Sequence, residues 1–409
     1  MGVSISIRDI QANPPDWSGW PEVKRVFSAI SEVNGTARFV GGCVRDALLG
    51  ITSDDIDICT DLTPIDTIDA LERKSIRVIP TGLAHGTVTA VINKCKFEIT
   101  TLRVDVQSHG RHADVRFTKD WYSDASRRDF TINAIYLDPT GEIFDPFEGI
   151  SDLKDGRVRF IGNPEERIAE DRLRILRFFR FFARFGGNIP DKEALNACRK
   201  NAQYLESLSA ERVQKELLQI LAVVDPLPAV KLMAKNQILK VILPGAPNTS
   251  LLASLLSLPF DTDSIQRLAC LLGGEPDHAA RAAQKLKFSR KLENRLLVMC
   301  DSNDEALRSE HQKQTVLYRL GKQGFIDQAL LYCSRKGDVR ELETSLDLAE
   351  NWCVPVFPIS GSDLTELGVA PGPEMGQLLK KMEQSWVSSG FSLTKEILIS
   401  EVLPPSLDT

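Results

Sequence analysis

The chain of 409 residues has only five histidines, and none of its eight cysteines (Cys43, Cys59, Cys95, Cys198, Cys270, Cys300, Cys333, Cys353) stands within two residues of another. Zinc knuckles and disulfide frameworks need closer and more regular spacing, so neither is expected, and a reducing, cytoplasmic home is. No apolar run reaches the roughly 18 residues that span a bilayer. The start MGVSISIRDIQANPPDW lacks a basic flank followed by an apolar block, so neither membrane nor signal segment is expected. An excess of positive charge is missing too: 50 basic against 56 acidic residues leave a net charge of −6. Domains that hold nucleic acid by bulk charge are strongly basic, so such a partner would need a local patch. Wholesale disorder is excluded by a charged share of 26% with 18 Phe. The length implies two to four domains.

Residues 1–150 alternate short β-rich runs with turn signals and read as a mixed α/β domain. Strands are expected at Ala37–Val40 and Ile56–Cys59. Hairpins are expected from Val88–Ile92 with Phe97–Leu102 and from Ala134–Leu137 with Glu142–Phe144. Arg103 to Asp124 is polar, without sustained period, and reads as a mobile functional loop. From about residue 164 the texture is helical, opening on an Asn163-Pro164 cap and first turn. Ala169 to Phe185 is apolar on nearly all sides, as in a helix surrounded by neighbours. A further helix starts at Ser209, which with Glu211 resembles an N-terminal cap. The 28 residues from Arg157 to Arg184 hold eight arginines against four acids, the basic patch that the total conceals. The fold class is therefore α+β: an N-terminal mixed-sheet head (1–150), then an all-helical neck (151–224) and a helical body and tail (225–409).

The densest cluster of chemistry runs from Phe39 through Gly41, Gly42, Arg45 and Asp46 to Gly50, followed by Asp55-Ile56-Asp57. A strand ending in two glycines before a helix lets backbone N–H groups approach a phosphate, with Arg45 adding positive charge. Taken singly, the glycine pair is an ordinary tight turn. Asp55 and Asp57, however, alternate with Ile56 and Ile58 along a strand and share one face, where they repel unless a cation lies between them. Hard oxygen ligands without His or Cys favour Mg²⁺, completed by phosphate oxygens and water. Phosphate cradle and acid pair together predict nucleotidyl transfer. Glu98 offers a third carboxylate or a solvated edge-strand residue.

Gly41-Gly42-x-Val44-Arg45-Asp46-x-Leu48-Leu49-Gly50 with Asp55-x-Asp57 resembles the head motif of class II CCA-adding tRNA nucleotidyltransferases and bacterial poly(A) polymerases. The resemblance continues through Arg127-Arg128-Asp129-Phe130-Thr131-Ile132-Asn133, Asp145-Pro146-Phe147-x-Gly149, Glu170-Asp171-x-x-Arg174-x-x-Arg177-x-x-Arg180 and Ser209-Ala210-Glu211-Arg212. It covers residues 39 to about 217, half of the chain. It implies that Gly41, Gly42 and Arg45 contact a triphosphate and that Asp46 orients the contact. Asp55 and Asp57 would carry catalytic Mg²⁺, and Arg128, Asp129 and Asn133 would surround the ribose. Asp171 and Arg174 would read C or A by imitating a Watson–Crick edge, with Arg177 and Arg180 nearby. On one continuous helix, Asp171 and Arg174 would sit on neighbouring positions of a face, with each later Arg about 60° further round.

The implied reaction is addition of C, C and A to the 3′ end of tRNA from CTP and ATP, with no protein partner required. The full-length Arg103–Asp124 segment matches the family's flexible loop and speaks against a CC-only enzyme. His109 and His112 within it read as solvated rather than metal-binding. No His-Asp dipeptide occurs, so the phosphohydrolase domain of some relatives is not expected, and the helical remainder reads as a tRNA-gripping body. Alternatives are a poly(A) polymerase, an A-only enzyme, and, in another class, an RNA-binding regulator on a degenerate head.

Overall fold

The structure, a computed structural model, describes residues 8–402 apart from 11, 110, 111, 188, 302 and 303, and leaves out the side chains of 106–114, 304, 306 and 402. The chain divides into two compact units, Met1–Leu243 and Pro244–Thr409. No helix among the described residues is long and apolar enough to cross a membrane.

The first unit opens with α1 (Pro21–Ser31) and a sheet built from β1 (Ala37–Val40), β2 (Ile56–Thr60), β3 (Arg77–Gly82), β4 (Thr87–Ile92), β5 (Cys95–Thr101), β8 (Tyr136–Leu137) and β9 (Ile143–Phe144). The strand order is β3-β4-β5-β2-β1-β8-β9, and only β2 and β5 pair in parallel. The β4–β5 hairpin closes more tightly than the sequence suggests: Ile92 pairs with Cys95, leaving a two-residue turn in which Asn93 takes φ 54°. β1 is anchored by Phe39, fully buried between Trp17 and Phe27 with ring centroids 4.6 Å from each.

The segment expected as an irregular loop is mostly ordered structure. β6 (Arg103–His109) and β7 (His112–Phe117) pair as a separate antiparallel ribbon, followed by α4 (Trp121–Ser126). A ribbon paired only with itself satisfies its backbone without burying a face, so it leaves little hydrophobic period to read. The side chains of His109 and His112 lie outside the described residues.

Between β1 and β2 runs α2 (Gly42–Leu48), with α3 (Pro64–Arg73) after β2 and α5 (Gly149–Lys154) after β9. Gly149 is required by a close approach, since a Cβ there would fall 2.3 Å from the carbonyl oxygen of Thr131. The neck follows with α6 (Pro164–Glu170), α7 (Arg174–Phe185), α8 (Lys192–Lys200), α9 (Ala210–Ala222), α10 (Leu227–Lys235) and α11 (Ile238–Ile242). Asn163 caps α6 as expected, its Oδ1 accepting from the Glu165 N–H at 2.9 Å. Ser209 stands at the N-cap of α9, but its hydroxyl makes no capping bond.

One difference matters for the site. The helix expected over Ala169–Phe185 is broken at Asp171, which is extended (φ −148°, ψ 109°) between α6 and α7. Beyond the break, α7 inserts its phenylalanines as the sequence implies: Phe181 meets Phe130 at 5.3 Å, and Phe178 stacks on Phe160 at 6.2 Å.

The second unit is helical throughout its described residues: α12 (Thr249–Ser257), α13 (Ser264–Leu271), α14 (Pro276–Lys285), α15 (Arg290–Cys300), α16 (Glu310–Lys336), α17 (Val339–Asn351), α18 (Gly361–Glu366), α19 (Pro373–Ser388) and α20 (Lys395–Val402), with a short 3₁₀ turn after α15. Among its described residues the buried acid is Asp327, which accepts from Arg295 Nε at 2.7 Å and Gln266 Nε2 at 2.7 Å. The charge is hydrogen-bonded, as burial requires.

Candidate active site

β1 runs straight into the two glycines. Gly41 adopts φ 73°, ψ −122°, a region L residues rarely enter, and a Cβ there would also stand 3.6 Å from Arg128 Nη1 and the Asn133 carbonyl oxygen. Gly42 then opens α2. The arginine one turn on is buried: Arg45 is 5% exposed, gives Nε and Nη2 to Asp46 Oδ1 at 2.9 and 2.8 Å, and Nη1 to Asn133 Oδ1 at 2.5 Å. Its guanidinium lies over the Phe185 ring at 4.4 Å. Burial lowers its pKa, and Asp46 works in the opposite direction.

Asp57 lies on β2 in register with Glu98 of β5, while Asp55 directly precedes the strand. Burial pushes the Asp57 carboxyl up to about 6, Glu98 and Asp55 push the same way, and Arg128 opposes them. A buried Asp57 carboxyl raised first by burial and then by two neighbouring acids is a group whose charge a divalent cation would stabilise. Asp55 and Glu98 are themselves exposed. Among the described residues no group of three or more His, Cys, Asp or Glu side chains is placed to hold a metal ion.

These elements border a cavity of about 580 Å³. It gathers eleven of the fourteen residues singled out from sequence: Gly41, Gly42, Arg45, Asp57, Arg128, Asp129, Asn133, Asp171, Arg174, Arg177 and Arg180. Asp46, Asp55 and Glu98 stand off its lining. Eight arginines face five carboxylates around it, so the cavity is cationic inside a chain of net charge −6.

Each arginine of α7 has a protein acceptor. Arg174 bonds Glu170 and the Arg167 carbonyl, the latter at 2.9 Å. Arg177 holds Asp129 Oδ2 through Nε at 2.7 Å, Arg180 holds Glu216 at 2.7 Å, and Arg184 holds Asp46 at 3.0 Å. Burial would raise the pKa of Asp129, but Arg177 and the Asn133 amide outweigh it and bring the carboxyl down to about 2. Because of the break, Asp171 and Arg174 are not paired on one helical face. Asp171 accepts from the Leu173 N–H at 3.1 Å and from Arg212 at 2.8 Å.

Sequence reasoning missed the residue beneath the arginine pair. Asp124 is fully buried and accepts from Arg127 Nε (2.8 Å), Arg128 Nη2 (3.2 Å), the Tyr136 hydroxyl (2.8 Å) and the Arg103 N–H (3.2 Å). Burial alone would raise its pKa, yet Arg128 and Arg127 hold it down at about 2. The available signal was helical spacing, since Asp124 stands three and four residues before the two arginines. Glu170, quoted in the motif without a role, carries the same spacing signal four residues before Arg174, whereas Glu216 and Arg167, whose guanidinium reaches the Arg127 and Arg128 carbonyls, were not singled out.

A strand–diglycine–helix turn beside a carboxylate pair, in a mixed-sheet head with an arginine-lined cavity, defines a nucleotidyltransferase. Three family models match in order: "Poly A polymerase head domain" at 37–159, "Probable RNA and SrmB- binding site of polymerase A" at 189–248, and "tRNA nucleotidyltransferase domain 2 putative" at 257–402. The chain is 34% identical over 397 residues to the mitochondrial CCA tRNA nucleotidyltransferase 1 of Homo sapiens, covering 93% of this chain and 89% of that protein. It is 31% identical to the CCA-adding enzyme of Enterococcus faecalis, covering 93% and 95%. In fold it is similar to the Bacillus stearothermophilus CCA-adding enzyme solved with CTP (TM-score 0.71, 24% identity, 90% and 94% covered). The chain belongs to the CCA tRNA nucleotidyltransferase family.

Proposed function

We propose that this chain adds C, C and A to the 3′ end of tRNA from CTP and ATP, releasing pyrophosphate. The observation that carries the reading is the single cavity where the diglycine turn, Asp57 and the arginines of α7 converge. Gly41 and Gly42 allow the backbone to approach the triphosphate, and Arg45, fixed by Asp46 and Asn133, supplies charge to it. Arg128, Asp129 and Asn133 border the ribose, where Asp129 or Asn133 can accept from a 2′-hydroxyl. Asp171, fixed by Arg212, and Arg174, fixed by Glu170, offer acceptor and donor to the base edge, with Arg177 and Arg180 supporting them. Asp55 and Asp57 would hold Mg²⁺, which when bound activates the attacking 3′-hydroxyl and neutralises charge on the leaving pyrophosphate. Glu98, in register on the neighbouring strand, adds to the burial that raises the Asp57 pKa.

The division into a head at 1–150, a neck at 151–224 and a tRNA-binding body and tail at 225–409 belongs to the same proposal. So does a reducing, cytoplasmic location, which suits eight cysteines that are all free.

The test is incubation with tRNA ending at the discriminator base and each labelled nucleotide in turn. CTP should add twice and stop, and ATP should add once after it. ATP-only addition running into long tails would replace this reading with poly(A) polymerase. Asp55→Ala with Asp57→Ala should abolish incorporation while leaving tRNA binding in place; surviving incorporation would sink the metal assignment.

A further inference from the structure

The guanidinium of Arg45, the expected triphosphate contact, is held asymmetrically. Its Nε and Nη2 both donate to a single oxygen of Asp46, Oδ1, at 2.9 and 2.8 Å, and its Nη1 donates to Asn133 Oδ1. Two parallel bonds, each N–H to its own carboxylate oxygen, are the favoured geometry for such a pair. Asp46 presents one oxygen to Arg45 and gives the other, Oδ2, to Arg184 Nη2 at 3.0 Å.

Arg184 reaches Asp46 from the last turn of α7, and spacing places it there. Phe181 and Phe185, four residues apart, share a face of that helix and stack at 6.2 Å. Arg45 lies over both rings, 5.4 Å from Phe181 and 4.4 Å from Phe185, and the Arg184 guanidinium lies 4.9 Å from the Phe185 ring. Aromatic faces attract a guanidinium without fixing its roll, so the direction of the remaining Arg45 N–H groups is left to Asp46 and Asn133. One of those groups is on Nη2, 3.8 Å from the point that a Cβ on Gly42 would occupy, at the diglycine turn. Arg184 itself stands off the nucleotide site. It does not border the cavity of about 580 Å³ and lines instead a separate one of about 620 Å³ with Ile51, Gln219 and Val224. Its side chain is 44% exposed, so the ion pair adds little to the stability of the fold.

Resting on the nucleotidyltransferase reading above, we propose that Arg184 is a positioning residue for the triphosphate. By engaging Asp46 Oδ2 it keeps Asp46 on Arg45 through one oxygen, so that Arg45 turns its remaining N–H groups to the diglycine turn. Without Arg184 the carboxylate rotates to meet Arg45 with both oxygens and draws the guanidinium away from the phosphates. The effect is confined to the part of the ligand that CTP and ATP share. It therefore alters affinity for both and leaves the choice between them alone.

The test measures equilibrium binding of CTP, ATP and CMP to the full-length protein and to R184Q, R184K and R199Q, the last removing an exposed arginine of α8. Circular dichroism verifies folding. R184Q should weaken CTP and ATP equally, by about 5- to 10-fold, at or below the lower end of what loss of an orienting partner costs, because the pair is partly screened by solvent. CMP, which lacks the β- and γ-phosphates, should bind R184Q as it binds the parent. R184K, which can still donate to Oδ2, should stay within about 2-fold of the parent for CTP, and R199Q should match the parent. In a D46N background R184Q should add no further loss, since the carboxylate through which it acts is gone. Equal loss of CTP and CMP affinity would show a structural role and overturn the proposal, as would an unchanged CTP affinity. Additive losses in D46N/R184Q would overturn it too, by showing that Arg184 acts through its own field. A parent that binds CTP yet transfers no nucleotide to tRNA would refute the functional reading, whereas these affinities test only the hold of Arg184 on Arg45.

Discussion

Asp124→Asn is the most informative single change, because it alters one charge and almost no volume at a point that never touches the cavity. The carboxylate is fully buried and holds two lining arginines. Its pKa of about 2, against 3.8 when unperturbed, corresponds to about 2 kcal/mol of stabilisation of the ionised form. Breaking a buried pair by neutralising one partner typically costs about 3–5 kcal/mol, because the other charge is left uncompensated. The two figures view the same interaction from two sides and are not added; a loss of about 3 kcal/mol is expected. The sign follows from the depressed pKa. Stabilisation is complete above the unfolded value near pH 4 and is lost as pH falls through 2, so the gap between parent and variant should close on acidification.

Two compact units make a global melt unsuitable for two-state treatment. Amide hydrogen exchange read on peptides spanning β1, α4 and β8 isolates the first unit. A loss under about 1 kcal/mol at pH 7, or a gap that does not narrow between pH 6 and 3, would refute the account of Asp124 as the anchor of the arginine pair.

Arg212→Ala removes the 2.8 Å partner of Asp171 and should lower discrimination against UTP and GTP by about 10-fold, equivalent to about 1.4 kcal/mol, with KM for tRNA unchanged; single-nucleotide incorporation assays check it. Gly41→Ala forces a side chain into φ 73°, ψ −122° and should cost about 1–3 kcal/mol in stability while raising KM for both nucleotides, measured by hydrogen exchange and steady-state kinetics. With Asp57 at about 6, incorporation at limiting divalent metal should rise with pH up to about 6 and level off above. Glu98→Gln removes a like charge, lowers that pKa and should move the break to more acid pH; an unmoved break would separate Glu98 from the site.

How far such features could be read in advance depended on how local their causes are. β1, its diglycine end and the Asn163 cap are set by neighbours in sequence, and they appear where the residues place them. The phenylalanines of α7 are likewise buried as their density implied. The break at Asp171 has no such cause. No glycine or proline marks it, and the helical pattern runs through it. Asp171 is held extended by its own side chain on Leu173 N–H and by Arg212, 41 residues away in sequence. β3 escaped for a different reason: it is an edge strand, mostly exposed and carrying Pro80, so neither face supplies a burial signal.

Anchoring of this kind, part local and part long-range, would let a cavity with eight arginines select a nucleotide rather than merely attract one, as the proposed function requires. A flexible arginine satisfies any anion. Here Arg45 is held by Asp46 and Asn133, Arg128 by Asp124, Arg174 by Glu170, Arg177 by Asp129 and Arg212 by Asp171, so the directions of their remaining N–H groups are set before a ligand enters. The acidic excess of the chain is partly the consequence, since most lining arginines require a carboxylate behind them. Fixed donors and acceptors can reject a wrong base because mismatched groups stay unpaired in a partly desolvated site, a larger penalty than any loss of attraction. Discrimination should therefore be more sensitive to the anchoring carboxylates than to the total positive charge. Glu170→Gln, which raises the net charge of the cavity by one, should still weaken selection between correct and incorrect nucleotides in single-turnover incorporation. An improvement in selection would show that charge, rather than fixed geometry, reads the base.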